Sequence, residues 1–263
     1  MWFLARRAAA YRAYYEHMPL PRRAAPYGAD MRLFARRSFG QLANVMLLDS
    51  RQYRSPLACT SPSRRNSRAV NCSEIHEKSR TKLGQVQEYW ARDQMAASGA
   101  RWNIFAQGTV MAYIDGQPGP GEMFGNDGWN GYQAARERFM ESIEQTQVTN
   151  PIVLGGDVHS FIAANHHRAP ADLTSPVIAS ELVTSSVTSQ AVPQTLLYAR
   201  RATNANLVFA NSEHRGYLRL DLSRERLQAE CFAMESVSDR AAGRFVKQTF
   251  FVENGRPGIV AGS

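Results

Sequence analysis

Cysteine is scarce in this chain: Cys59, Cys72 and Cys231 are the only three among 263 residues. An odd count without CxxC spacing gives neither a disulfide framework nor a zinc knuckle, although Cys59 and Cys72 could pair across their loop in an oxidising compartment. Long apolar runs are missing too. No stretch approaches the roughly 18 residues that a membrane helix needs. The opening Met1-Trp-Phe-Leu-Ala-Arg-Arg7 has too little apolar length for a secretory signal, and no hydrophobic run follows Arg6-Arg7 to make a twin-arginine signal. As written, the chain is expected to stay in the cytoplasm. Acid is in deficit: 23 Asp and Glu face 31 Lys and Arg, for a net charge of +8. A basic surface attracts nucleic acid, anionic lipid or phosphorylated small molecules. The arginines are scattered, among them Arg6, Arg22, Arg36, Arg64, Arg101 and Arg200, which fits a solvated surface better than a nucleic-acid footprint. Internal repeats are absent, as are the G-x-S-x-G elbow, the G-x-x-x-x-G-K-[ST] phosphate loop and the H-E-x-x-H metalloprotease pair.

What remains is the composition of a soluble globular protein, 44% hydrophobic and 21% charged. Helices are expected over 2–16, 83–98, 132–147 and 190–201, with Pro19 and Pro21 closing the first. The aromatic stripe of the first helix, Tyr11, Tyr14 and Tyr15, reads as core contact. Strands are expected over 38–49, 101–107, 152–154 and 176–184, then in series over 207–211, 217–222, 227–235 and 244–253. That last series favours antiparallel pairing. Residues 55–80, rich in Pro, Ser, Asn and Arg, read as a mobile loop, and His166-His167 also reads as loop. Helices and strands alternate first and strands alone follow, so the expected fold is an α/β domain whose sheet gains antiparallel strands late.

The segment Asn150-Pro-Ile-Val-Leu-Gly-Gly-Asp157-Val-His159-Ser160 stands out. A short apolar strand ends in two glycines, which let the backbone turn or approach a neighbour closely. Asp157 and His159 then follow two positions apart, and period-two alternation would put them on the same side. A carboxylate and an imidazole at a strand end suit a metal or catalytic site. Other polar clusters fall where strands should end: Asp49-Ser-Arg51-Gln52-Tyr53-Arg54, Gln107, Glu181 and Asn211-Ser-Glu213-His214-Arg215. Taken singly, Glu181 would only pair with an arginine and Asn211 would only make a turn. In an open α/β sheet, however, strand ends converge on one crevice. Carboxylate, imidazole and arginine together suit phosphate ester chemistry, with hard-metal ligands beside a bidentate fork for phosphate oxygens.

Seven segments, in order and spanning nearly the whole chain, resemble the alkaline phosphatase D (PhoD-like) metallophosphatases. They are Arg7-Ala-Ala-Ala-Tyr-Arg-Ala-Tyr-Tyr-Glu-His-Met-Pro-Leu20, Leu48-Asp-Ser-Arg-Gln-Tyr-Arg54, Leu83-Gly-Gln-Val-Gln-Glu-Tyr-Trp90, Trp102-Asn-Ile-Phe-Ala-Gln107, Asp127-Gly-Trp-Asn-Gly-Tyr132, Gly156-Asp-Val-His-Ser160 and Asn211-Ser-Glu-His-Arg-Gly-Tyr217. The resemblance implies a four-layer α/β/β/α sandwich that hydrolyses phosphate monoesters and diesters, small-molecule substrates, at an iron and calcium centre. It implies that Asp157 and His159 bind metal. It also places Arg51, Asn211 and Arg215 near the substrate. Asn130 stands where the family usually has aspartate.

The family's N-terminal half, with a cysteine ligand, a D-Y-x-Y segment and a W-D-D-H-E segment, has no counterpart in these residues. Asp49 is followed by Ser-Arg, and Cys59 lies in a variable loop. The expectation is therefore a single partial domain over 1–263. Its sandwich would be incomplete and its metal site would lack ligands. The alternative is a non-catalytic remnant or partner-binding fragment. The family is typically exported.

Overall fold

The structure, a computed structural model, describes residues 2–60, 68–170 and 172–262. The chain divides into two units, Met1–Ala35 and Arg36–Ser263. In the first, α1 (Trp2–His17) runs until Pro19 and Pro21 exclude further helix. An Arg12–Glu16 pair of 2.7 Å supports its last turns. No residue of α1 is buried, so the tyrosine stripe is not core. Arginine interrupts every apolar face, and the Arg7 guanidinium lies over the Tyr11 ring, 5.0 Å from its centre.

The second unit opens with β1 (Ala35–Phe39) and β2 (Ala43–Leu47), separated by a turn at Gly40 where one strand had been expected. There follow β3 (Arg68–Val70), α2 (Gln85–Ala96), β4 (Trp102–Ala106), β5 (Met123–Gly125), α3 (Gln133–Thr146), β6 (Pro151–Gly155), β7 (Phe161–His167), β8 (Val177–Val183), α4 (Gln194–Thr203) and β9 (Leu207–Asn211). The last four strands are β10 (Gly216–Leu222), β11 (Arg226–Met234), β12 (Arg244–Glu253) and β13 (Arg256–Ala261). Among the described residues, no helix is long and apolar enough to cross a membrane.

Seven strands make the main sheet in the order β1-β2-β4-β6-β8-β7-β9. The run β2-β4-β6-β8 is parallel, while β7 is antiparallel to both β8 and β9. Alternation along the strands separates two cores. On one face Met46, Phe105 and Val153 pack against Ala91 and Met95 of α2 and Phe139, Met140 and Ile143 of α3. On the other, Trp102, Ile104, Ile152 and Leu182 meet Leu227, Ala229, Phe250 and Val252 of a second sheet, the antiparallel meander β10-β11-β12-β13. Polar links also join the two sheets: Trp102 Nε1 donates to the Ser223 carbonyl at 2.7 Å, and Asn165 Oδ1 accepts from Ile259 N at 2.9 Å.

The unit is therefore a mixed α/β fold of three described layers, helices, sheet and sheet. The fourth layer of the expected α/β/β/α sandwich is not among its described residues. The outer face of the meander carries exposed Tyr217, Arg219 and Asp221, while Leu218, Leu220 and Leu222 face inward. The late strands also do more than extend one sheet. Only β9 joins the main sheet, and the rest build the second. His166 and His167 belong to β7 rather than to a loop. Of the stretch 55–80, residues 61–67 lie outside the described residues; the remainder holds β3, paired with β5, a 3-10 turn at Ser73–His76 and a Cys59–Cys72 disulfide.

Candidate active site at the strand ends

The C-terminal ends of β2, β4, β6 and β8 open on one end of the sheet. There β7 begins and β9 ends, since Ile162 pairs with Val183 and Phe161 with Asn211. Asp49–Arg54, Gln107, Asp157–His159 and Asn211–Arg215 all follow these ends, as the convergence argument requires. Glu181 does not. It sits within β8, opposite Val153 and Ala164, with no exposure to solvent. It accepts the Met111 amide at 2.8 Å, and its other oxygen stands 3.1 Å from His166 Nε2, out of hydrogen-bond alignment. Arg136 reaches His166 Nδ1 at 3.2 Å from the far side. Because arginine can only donate, His166 carries its proton on Nε2, toward Glu181. Burial, with Arg136 and His167 helping, holds His166 below its ordinary pKa against the pull of Glu181. Burial also brings Arg136 down to about 10, with Glu181 opposing. This Arg136–His166–Glu181 relay is internal and structural.

Residues Gly156–Ser160 leave β6 and enter β7, which lies two strands over, so they cross the end of β8, a span of about 10 Å at ordinary strand spacing. Thr184 N bonds the Gly155 carbonyl at 3.1 Å beneath the crossing. Gly155 is required by close approach, since a Cβ there would stand 2.5 Å from the Thr109 carbonyl oxygen. Asp157 and His159 adopt φ of 75° and 54°. Left-handed backbone at two non-glycine residues is uncommon and marks a constrained segment. Strand alternation thus does not place these two side chains, because neither residue is in a strand.

Asp157 joins a charged cluster. Arg51 spans two carboxylates, with Nη1 2.5 Å from Asp127 Oδ2 and Nη2 3.5 Å from Asp157 Oδ1. Asp49 shapes the arginine's loop by accepting the amides of Arg51 and Gln52, each at 3.0 Å. Arg54 Nη1 reaches Asp127 Oδ1 at 2.8 Å, and Lys82 Nζ donates to the Asp127 carbonyl at 2.6 Å. Burial works upward on the Asp127 carboxyl, but hydrogen bonds from Arg54 and Arg51 outweigh it and hold the pKa below the usual range. Lys82 is pulled down to about 7, by burial first and then by Arg54. Three cations against two carboxylates leave room for an anion. Arg54 belongs to the strand-end cluster that the sequence offers, whereas Lys82 carries no sequence signal as a site residue. Lys82 immediately precedes the Leu83–Trp90 motif, and a lone lysine before a helix reads as solvated. Gln107, Asn130 and Asn211 are committed locally. Gln107 Oε1 accepts from Trp129 Nε1 at 3.1 Å, and Asn130 Nδ2 donates to the Ala112 carbonyl at 2.9 Å. Asn211 Nδ2 donates to Glu213 at 3.0 Å.

His159 falls on the other side of the crossing. Its Nδ1 lies 2.7 Å from the Gln190 carbonyl. A carbonyl can only accept, so Nδ1 carries a proton, and in the neutral ring Nε2 would be the nitrogen with the lone pair. Ser185 Oγ touches the carbonyls of both His159 and His214, at 3.3 and 2.8 Å. That contact ties the crossing to the loop after β9, where Arg215 Nη1 donates to the Ser212 carbonyl at 3.0 Å. The five residues expected at the site therefore form two neighbouring groups, Arg51 with Asp157, and His159 with Asn211 and Arg215.

A cleft of about 380 Å³ opens beside Asp127 and Asp157 and has the apolar walls Val110, Ile114, Ile162 and Leu197. A larger one, about 600 Å³, lies at the opposite end of the strands against Leu42, Arg101 and Thr149, where Arg101 and Arg224 are the only charged groups. Ligands in open α/β sheets bind at the carboxyl ends of strands, which favours the smaller cleft.

The family model for PhoD-like phosphatases matches residues 2–231. The chain belongs to the PhoD-like phosphatase family. It is 33% identical to alkaline phosphatase D of Bacillus subtilis (strain 168) over 264 residues, covering 98% of this chain and 44% of that protein. It also superposes on the solved structure of PhoD with a TM-score of 0.91 at 32% identity, covering 99% of this chain and 49% of that one. The chain thus spans less than half the length of the relatives it matches. Phosphate ester hydrolysis is the activity of the PhoD-like family, and the mixed main sheet with its antiparallel C-terminal companion matches the PhoD structure.

Proposed function

We propose that this chain hydrolyses phosphate mono- and diesters at the strand-end cluster, with Asp157 and His159 as metal ligands and Arg51 on the substrate phosphate. The carrying observation is that Arg51 and Asp157, 106 residues apart in sequence, stand 3.5 Å apart. The donor chemistry fits. A carboxylate oxygen and an imidazole nitrogen suit iron, carboxylates suit calcium, and a ligating histidine typically donates its other N–H to a carbonyl, as His159 does to Gln190. Iron and calcium are the ions we assign. Asp157 and His159 would hold such an ion, which would supply Lewis acidity to a phosphoryl oxygen and to water.

The chain's own residues do the rest. Arg51 and Arg54, held in place by Asp127 and Asp157, would offer their remaining N–H donors to the anion, and Lys82 adds positive charge that fades as pH rises through about 7. The Gln190 carbonyl fixes the His159 ring. Asn211 and Arg215 hold the loop beside the crossing, and their substrate-side role acts through that loop.

Purified protein supplied with calcium and ferric iron should turn over a nitrophenyl phosphodiester. His159→Ala and Asp157→Asn should each lower kcat by about a hundredfold or more, as loss of a coordinating group does. Unchanged turnover in both variants would remove these residues from the site.

One observation favours a second reading, a chain that binds phosphate esters without turning them over. Among the described residues, the only group of three His, Cys, Asp or Glu close enough to share one ion is Cys59, Cys72 and Glu74, and those two sulfurs are bonded to each other. Phosphate binding without turnover at any metal concentration would select that reading. The disulfide also supports an oxidising compartment, in contrast to the cytoplasmic expectation.

A further inference from the structure

The cleft beside Asp157 has a second positive end. Arg68, on β3, and Arg200, near the end of α4, both line it. Among the described residues neither guanidinium has a carboxylate within ion-pair distance or a hydrogen-bond acceptor, whereas Arg51, Arg54, Arg80, Arg138 and Arg168 all do. The bland account of Arg200 is a cation serving the helix C-terminus. Neither arginine of that last turn bonds the helix's own final carbonyls among the described residues: Arg201 Nε donates instead to the Leu207 carbonyl of β9 at 3.2 Å. Arg200 is instead half-buried toward Arg68, and burial together with that like charge lowers its pKa. Two unpaired guanidiniums lining one cleft repel each other through the solvent, and a bound anion relieves that repulsion. Apolar walls, Val110, Ile114, Val192 and Leu197 among them, line the same cleft as these arginines and Asp157. The cleft is of ligand size.

We propose that Arg68 and Arg200 form a second anion subsite, so that the preferred substrate is a phosphate ester whose leaving group carries a further anionic group beyond an uncharged spacer. This rests on the phosphate-binding reading of the Arg51–Asp157 cluster. No bond is made or broken at the second subsite. Its role is to position the leaving group and to discriminate between substrates.

Calorimetry on the full chain with alkane-diyl bisphosphates, spacers running from ethane to octane, against the matching alkyl monophosphates tests it without requiring turnover. At least one spacer should bind about tenfold tighter than its monophosphate, the worth of one well-made charged contact. That preference should vanish in Arg68→Gln/Arg200→Gln and survive in Arg200→Lys, which keeps the charge. Omega-carboxyalkyl phosphates distinguish a general anion site, which prefers them as well, from one specific for a second phosphate. No preference at any spacer, or one that survives the double Gln variant, overturns the inference while leaving the proposed function intact. Failure of the wild type to bind even monophosphates overturns the proposed function instead.

Discussion

Asp127 accepts two guanidiniums on its carboxylate and a lysine on its carbonyl, so the charge state of Lys82 sets the field around it. With a pKa of about 7, Lys82 is cationic below neutrality and neutral above it. Inhibition by sulfate, an anion that does not titrate in this range, should therefore weaken as pH rises through 7, and the inflection should disappear in Lys82→Arg, which stays charged; inhibition constants measured across pH decide this. His166 acts in the opposite regime. Its folded pKa is depressed below 6.5, so the unfolded chain binds a proton more readily. The stability it contributes is complete above pH 6.5 and is lost as pH falls below it. Melting temperature should drop on acidification, and the slope should be shallower in His166→Gln. Asp157 and Arg51 were legible because strand ends gather polar residues. The pairing of His166 with Glu181 was not, because it depends on which strands are neighbours, and no local pattern records that.

At the scale of elements, the Cys59–Cys72 bond anchors a small satellite core of Ala58, Ala69, Cys72, Ile75 and Phe124. Phe124 belongs to β5, the strand just before Asp127, and β5 pairs with β3. The bond closes a 13-residue separation, for which chain entropy predicts about 3 kcal/mol of stabilisation. Cys72→Ser should lower stability by about that much in denaturant titrations and should weaken phosphate binding by loosening the approach to Asp127. Long periodic elements such as α2, α3 and β4 were readable from pattern alone. Short or polar ones were not. β3 has only three residues, β7 ends in Asn-His-His, and β13 carries Arg and Pro. All three are strands by virtue of their neighbours. β1, at the open edge of the main sheet, places Arg36 and Arg37 there, a charged edge of the kind that discourages further pairing.

On the scale of the whole molecule, the second unit owes its coherence to the apolar layer between the two sheets. Phe250, almost fully buried there, packs edge-on to Phe209 with ring centres 5.4 Å apart. Phe250→Ala should cost about 3–5 kcal/mol, and both sheets should melt together, which circular dichroism in the near and far ultraviolet can follow. The order of the strands adds a constraint in time. β8 lies between β6 and β7 in space but follows both in the chain. Asp157 and His159 are therefore synthesised before the strand over which their segment arches. A nascent chain that has reached residue 170 already contains both residues and lacks the support that shapes them. The Thr184 amide that bonds Gly155 beneath the crossing arrives only with β8, so the segment that bears Asp157 and His159 waits on a later part of the chain for that support.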